Sequence, residues 1–255
     1  MITARRSHRT LLALAAGGLL AGGLAPGAAT AQGREGFLLR EPTVALGFQM
    51  GYAVPDASSE IFRFVEDQLT VEHSDFNAPY LGGFLAVRLS PRLDARVDVS
   101  FSRAETRSEF RDWVDMDDLP IEQETYLQRV PLTLGLTWYL RDRGRTVGRF
   151  AWIPTDWNGY LGAGAGVTWY EFEQVGDFVD FETRDIFYEA YRNDGSTPTA
   201  HLYGGVERSL ASRLLLTVEG RYTWTDPVEM RGDFVGFEPM DLSGFQVSVG
   251  FAARF

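Results

Sequence analysis

Few residues in this chain can do chemistry, and their spacing limits what each can do. His73-Ser74-Asp75 supplies a base, a hydroxyl and a carboxylate, the residue types of a nucleophilic triad. Three consecutive residues do not readily form one, because each group must reach its neighbour's proton at about 3 Å in a fixed orientation. His201, beside Tyr203 and Glu207, reads as an interior hydrogen-bonding group rather than a base. Gly162-x-Gly164-x-Gly166 alternates within an extended run and opens no helix, so it lacks the backbone nest of a phosphate loop. The runs Asp112, Asp115, Asp117, Asp118 and Asp177, Asp180, Glu182, Asp185 offer oxygen ligands for Ca²⁺ or Mg²⁺. Neither has the spacing or turn glycine of an EF-hand, and a solvated acidic loop is the plainer reading. The sequence therefore assigns no catalytic residue, no metal ligand and no cofactor, and the expectation is a protein that is not an enzyme.

Seven further charges, Arg88, Asp94, Arg96, Asp98, Glu207, Glu219 and Arg221, all lie within extended segments. Leu93, Ala95, Val97, Val99 and Phe101 alternate with Asp94, Arg96, Asp98, Ser100 and Ser102, a strand with one apolar and one polar face. Phe245 to Phe255 repeats the pattern. Segments of the same kind occur at Val44–Tyr52, Tyr80–Leu89, Val130–Leu140, Tyr160–Tyr170, Ala200–Leu210 and Leu214–Trp224. Together these make eight strands, each long enough for the roughly 9 to 11 residues of a tilted membrane strand. Long polar connections alternate with short ones such as Ser90-Pro91-Arg92 and Ala211-Ser212-Arg213. That alternation describes an all-β, eight-stranded antiparallel up-and-down barrel spanning a membrane. Asp142–Asn158 is too long for a simple turn, and its Phe150, Trp152, Pro154 and Trp157 suggest a structured turn with an interfacial aromatic cluster. A further strand pair drawn from the loops would make the count ten.

Composition narrows the classes. The chain has 255 residues, 45% of them apolar, enough for one domain with a core. No cysteine means no disulfide and no thiolate, and all 24 basic residues are arginine, which leaves no lysine for a Schiff base. Against 35 acids this balance offers no basic face for nucleic acid. Met1–Ala31 reads as a secretory signal peptide: Arg5, Arg6 and Arg9, an apolar run from Leu11 to Ala25, and Ala29-Thr30-Ala31 as the cleavage site. Cleavage leaves 32–255 as the barrel domain and moves the formal charge from −11 to −14.

Sidedness decides between a soluble lipid-binding barrel with its apolar face inside and a membrane barrel with that face in lipid. Arg96 or Arg221 on the lipid face would cost roughly 2 to 4 kcal/mol at the midplane. The charged face, interleaved with Gly47, Gly51, Gly162, Gly164, Gly166, Gly205 and Gly250 and joined by Gln246 and Arg254, therefore points into a narrow lumen. Tyr52, Phe101, Trp138, Trp169, Tyr222, Trp224 and Phe255 fall near strand ends, where aromatic girdles belong.

With a signal peptide, eight alternating strands and a terminal Phe255, the chain resembles the small outer-membrane β-barrel family of the OmpA, OmpX and OmpW kind. The segments Val130–Leu140 and Gly159–Val167 resemble phrases common in that family. The resemblance implies residence in the bacterial outer membrane, with outer-membrane lipid and lipopolysaccharide around the barrel. It also implies recognition of Gly244–Phe255 by the outer-membrane assembly machinery, with Phe255 as the signal. It leaves function open among structural proteins, adhesins, small conduits and a few lipid-modifying enzymes.

An even strand count puts both chain ends on one side, so 27 of the 35 acids, carried by the four long connections, face outward from the cell. The expected role is structural or surface-interacting, for a monomer, with Phe178–Tyr191 extending its strands above the membrane. The alternative is a narrow conduit for small, apolar molecules. The interior charges are then either a structural plug or a gate. Eight strands enclose a space that side chains just fill, which favours the plug.

Overall fold

The computed structural model describes residues 36–149 and 151–255. The signal-peptide reading of Met1–Ala31, the first residues of the 32–255 domain and Phe150 lie outside the described residues.

Eight long strands close into one antiparallel ring: β1 (Val44–Pro55), β2 (Ala78–Ser90), β3 (Leu93–Val114), β4 (Pro120–Tyr139), β7 (Trp157–Val179), β8 (Ile186–Ser209), β9 (Leu214–Thr225) and β10 (Gly244–Arg254). The ring closes where β1 pairs with β10, from Ala45↔Arg254 to Pro55↔Gly244. Thr43 N–H donates to the Phe255 carbonyl at 2.7 Å, so both ends of the barrel chain meet at one rim. Closure satisfies the backbone groups that an open edge would leave bare in hydrocarbon.

The residues dictate which face is which. On β3, Asp94, Arg96, Asp98 and Ser100 are buried while Val97, Val99 and Phe101 are exposed. The outside carries an apolar belt in which Leu134 is 62% exposed and Phe251 53%. Such a belt around a closed, charge-filled ring is the sidedness of a transmembrane barrel, and the soluble alternative is set aside. Along β7 the outward residues run apolar from Trp157 to Trp169 before Glu171. Twelve residues at about 3.3 Å each, tilted by about 40°, give an apolar height of roughly 30 Å, near the height of a bilayer core.

Four strands outrun the membrane. β3, β4, β7 and β8 have 22, 20, 23 and 24 residues. The expectation ended β3 at Phe101 because the outward face turns from apolar to charged there, with Arg103, Glu105, Arg107 and Glu109. The strand itself continues, and its pairing with β4 runs on through Arg103↔Gln128 to Glu109↔Glu122. Phe178↔Phe187 and Val179↔Ile186 carry the β7–β8 hairpin up as anticipated.

The Asp142–Asn158 connection differs from its reading. It folds into a separate hairpin of β5 (Gly144–Val147) and β6 (Ala151–Pro154), so the barrel itself keeps eight strands among the described residues. Trp152 is not an interfacial aromatic. It is buried under the barrel, pairs through its backbone with Leu38 at 2.7 and 2.8 Å, and lies 5.2 Å from the Arg254 guanidinium. Trp157, at the start of β7, is the exposed one.

At the other rim the loops fold inward. Ile61, Phe62, Val65 and Leu69 follow a helical spacing along α1 (Glu60–Gln68) and its exit, and all are buried. They join Phe76, Phe172, Phe234, Met240 and Leu242 in an apolar core between the protruding strands. The loop before β10 is pinned to α1, since Asp241 N–H donates to Ser59 Oγ at 2.7 Å and Glu238 N–H to the Glu60 carboxylate at 2.8 Å.

The lipid belt gives a direct test. Leu134→Arg should cost about 2 to 4 kcal/mol in equilibrium unfolding from lipid vesicles, whereas Tyr188→Arg on the protrusion should stay within about 0.5 kcal/mol of the parent. Equal costs would contradict the assigned sidedness.

Candidate functional site

Period-two geometry places inward residues of neighbouring strands at shared heights, and four of the seven predicted charges meet at one level. Arg96 on β3 bonds Glu219 on β9 at 2.7 Å and its own-strand Asp98 at 2.8 Å. Arg221 bonds Asp98 at 2.8 Å and Glu219 at 2.9 Å. The four form a closed, formally neutral quartet across the lumen, each side chain no more than 6% exposed. Both guanidiniums are also covered by aromatic rings. Arg96 lies 4.0 Å from the Phe84 centroid, and Arg96 and Arg221 lie 4.8 and 4.9 Å from that of Tyr203. Tyr160 donates to Glu219 at 3.1 Å, and Gln49 accepts from Arg96 at 3.3 Å. Tyr203 shares a 2.6 Å hydrogen bond with Thr137.

Small residues make the space. A side chain on Gly162 would run into the Tyr203 ring, and one on Gly164 would come within 2.7 Å of His201 Nε2. His201 itself is buried with its ring 5.4 Å from that of Tyr203, and its Nε2 makes no hydrogen bond among the described residues.

The other three predicted charges lie nearer the terminal rim. Glu207 pairs in register with Thr217, two residues below the level of Glu219, so it meets neither Glu219 nor Arg221. It lines a cavity of about 30 Å³ with Arg88, Tyr139, Arg143, Trp152 and Arg254. Asp94 takes a 2.6 Å bond from Arg143 and a 3.3 Å bond from Tyr139. Arg88 pairs with Glu41, and Glu41 also accepts from Trp152 Nε1 at 3.1 Å. Arg254 donates to the Ser212 carbonyl at 3.0 Å and to Ser209 Oγ at 2.6 Å. Arg143, just before β5, and Trp152 on β6 thus line this rim.

Inward parity alone could have found Gln49, Tyr160 and Tyr203. Arg143 could not be found that way, because it enters from a connection rather than a strand. Arg129 was also missed; it is buried above the quartet and donates to the Leu242 carbonyl at 3.1 Å. Phe255 is exposed at the rim, its backbone N–H donating to the Val44 carbonyl at 2.8 Å.

The loop candidates do not converge. The Asp75 carboxylate caps the Glu72 N–H at 2.9 Å, while His73 faces Glu66 at 3.4 Å, so His73, Ser74 and Asp75 form no relay. Asp115 and Asp180 each shape a turn. Asp115 accepts from the Asp117 and Leu119 N–H groups, both at 2.8 Å, and Asp180 from Glu182 and Thr183 at 2.8 and 3.1 Å. The backbone N–H groups of Thr183 and Glu182 hold the Asp180 carboxyl below its ordinary value. On the protruding β4, the hydrogen bond to Glu124 lifts the Tyr126 hydroxyl to about 12.

A closed eight-stranded ring with lipid outside and charge inside defines an outer-membrane-type β-barrel. No protein-family model and no curated protein matches the sequence. Among solved structures the chain is similar to the outer-membrane protein OprG of Pseudomonas aeruginosa, at 14% identity over 86% of this chain and 99% of that one, with a TM-score of 0.45. A major outer membrane protein of Thermus thermophilus aligns at 12% identity over 85% and 100%, TM-score 0.44. Ail of Yersinia pestis aligns at 9% over 85% and 100%, TM-score 0.43.

Two measurements follow. Glu219→Ala leaves Arg96 and Arg221 sharing one carboxylate and should cost about 3 to 5 kcal/mol in chemical unfolding, whereas replacing all four members with Leu and Met should cost less. At the Asp180 turn the folded carboxyl titrates below its unfolded value. Its contribution is therefore whole above the unfolded range and lost as pH falls through the lowered folded value. Acidification should move the Thr183 and Glu182 amide resonances, and Asp180→Ala should show the acid-state positions already at neutral pH.

Proposed function

We propose that this is a non-enzymatic outer-membrane protein with a structural and surface-interacting role, carried by the protruding β3–β4 and β7–β8 hairpins and the acidic loops. The observation that supports the reading is the packing of side chains across the lumen at three heights. Arg143 and Trp152 line the terminal rim, the Arg96–Asp98–Arg221–Glu219 quartet fills the middle, and the α1 core seals the loop rim. This filling favours a structural plug over a gate and over the conduit reading. The separation of His73, Ser74 and Asp75 into unrelated contacts supports a role without catalysis.

In this reading the signal peptide delivers the chain for export, Phe255 marks the last strand for the assembly machinery, and lipopolysaccharide surrounds a monomeric barrel. The acidic loops face outward, where most of the strand length beyond the membrane is spent.

Planar-bilayer recording of the purified full chain should show no steady single-channel conductance. A stable open level would overturn the plug. Replacing residues 176–189 with an Asn-Gly turn between Val175 and Ala190 should abolish adhesion of expressing cells to a surface the parent binds. The heat-dependent gel mobility of a folded barrel should survive. Unchanged adhesion would overturn the surface role of this hairpin.

A further inference from the structure

One arginine stands on the wrong face of the barrel. Arg208 on β8 pairs in register with Trp157 on β7 and Leu216 on β9, so it points outward, away from the lumen that Glu207 enters. Val206 and Leu210, two residues before and after it, are exposed apolar side chains. The guanidinium therefore lies within the lipid-facing belt and not beyond it. It makes no ion pair and no hydrogen bond among the described residues, and the exposed Trp157 ring has its centroid 5.1 Å away. A guanidinium carries five N–H donors and keeps its charge. On a lipid face it is costly towards the midplane and tolerated near the interface, where its donors reach headgroup oxygens.

The surroundings add charge of the same sign. Arg40, Arg141, Arg145, Arg149 and Arg213 are exposed at the terminal rim and, like Arg208, join no ion pair among the described residues. Arg92 is paired with Asp142 and Arg88 with Glu41, which leaves Asp156 as the exposed acidic side chain of this rim without a partner among the described residues. The rim field is therefore positive, opposite in sign to that of the acidic loops. Arg141 and Arg213 flank the Trp157–Arg208 pair in strand order, one at the end of β4 and one in the β8–β9 turn. Arg141 is fixed beside the start of β7, its N–H donating to Asn158 Oδ1 at 3.1 Å.

The position of Arg208 selects among anionic partners. A water-soluble anion meets the rim arginines, but Arg208 lies behind Leu210 on an apolar wall. Its occupant needs a negative group joined to chains that pack on that wall. A phospholipid has both: its phosphodiester accepts paired N–H bonds from a guanidinium, and an indole such as that of Trp157 sits at headgroup level.

We propose that Arg208 and Trp157 form a headgroup site for an anionic phospholipid of the leaflet at the terminal rim. The phosphodiester sits on the Arg208 guanidinium, the acyl chains lie on the neighbouring belt, and Arg141 and Arg213 favour negative over zwitterionic headgroups. The site is at the rim opposite the protruding hairpins, so an adhesion result bears on the surface reading and not on this one.

The test is native mass spectrometry of the full chain released from nanodiscs that contain equal amounts of phosphatidylglycerol and phosphatidylethanolamine. The parent should retain phosphatidylglycerol in preference. Arg208→Gln should lower the ratio of the two retained lipids about fivefold, the factor that one cation contributes near an anionic membrane surface. Arg208→Lys, which keeps the charge and loses the paired donors, should fall between. Arg107→Gln on the protrusion should match the parent, and unboiled gel mobility confirms that each variant is folded. Equal retention of the two lipids by the parent would overturn the proposal. An unchanged ratio in folded Arg208→Gln would also overturn it, by assigning the preference to rim charge at large. Loss of the retained lipid to soluble glycerol phosphate at matched concentration would overturn the lipid as the occupant.

Discussion

Charge cancellation inside a lipid-bound ring is the constraint on which the rest of this structure depends. A guanidinium or carboxylate taken out of water is costly unless opposite charges and hydrogen bonds replace the water. In the Arg96–Asp98–Arg221–Glu219 quartet each cation touches both anions and each anion both cations, so no member is left as a lone charge. Rings of Phe84 and Tyr203 occupy the faces of the guanidiniums, where a hydrogen bond cannot be made. The four residues come from only two strands, β3 and β9, on opposite sides of the ring order. The contact therefore ties the barrel across its diameter as well as around its circumference.

The molecule changes solvent along its axis, and the same strands serve each region. Across the lipid they expose Leu, Val and Phe and bury charge. Above the Trp169 level they expose Glu and Arg and bury Phe172, Leu127 and Ala104 in the α1 core. This inversion lets β3, β4, β7 and β8 begin as a membrane wall and end as half of a small water-soluble domain. The protruding sheet is stitched by exposed pairs such as Arg107–Glu124 and Arg192–Glu171. Pairs of this kind contribute little stability each, and the buried aromatic core carries the greater share.

Most of the barrel was legible in the sequence because lipid enforces a strict rule. Leu93–Phe101 and Phe245–Phe255 cannot alternate apolar and polar residues in any other register without putting Arg96 or Arg254 into hydrocarbon, and parity then assigned the inward faces of all eight strands. Once the outer face met water the rule relaxed, which is why β3 reads as ending at Phe101 although its pairing continues to Glu109. The α1 helix was not read from the sequence: Ile61, Val65 and Leu69 have helical spacing, but the polar length around them reads as a loop. At the site, parity placed the charges inside but gave no height. Arg96, Asp98, Glu219 and Arg221 converge, whereas Glu207 falls lower with Thr217. Contacts brought in by connections, Arg143 on Asp94 and Trp152 under Arg254, depend on a hairpin geometry that no alternation encodes.

Closure of the lumen is the claim most open to direct measurement, and the absence of cysteine from the sequence makes the measurement clean. Ser100 lies inward on β3, buried just above the quartet, while Tyr188 stands 70% exposed on the protrusion. Ser100→Cys and Tyr188→Cys variants in sealed proteoliposomes should be treated with a bulky, membrane-impermeant thiol reagent supplied from each side in turn. A closed lumen predicts rapid labelling at position 188 and none at position 100 from either side until the barrel is unfolded. Labelling at position 100 in the folded protein, from either side, would contradict it.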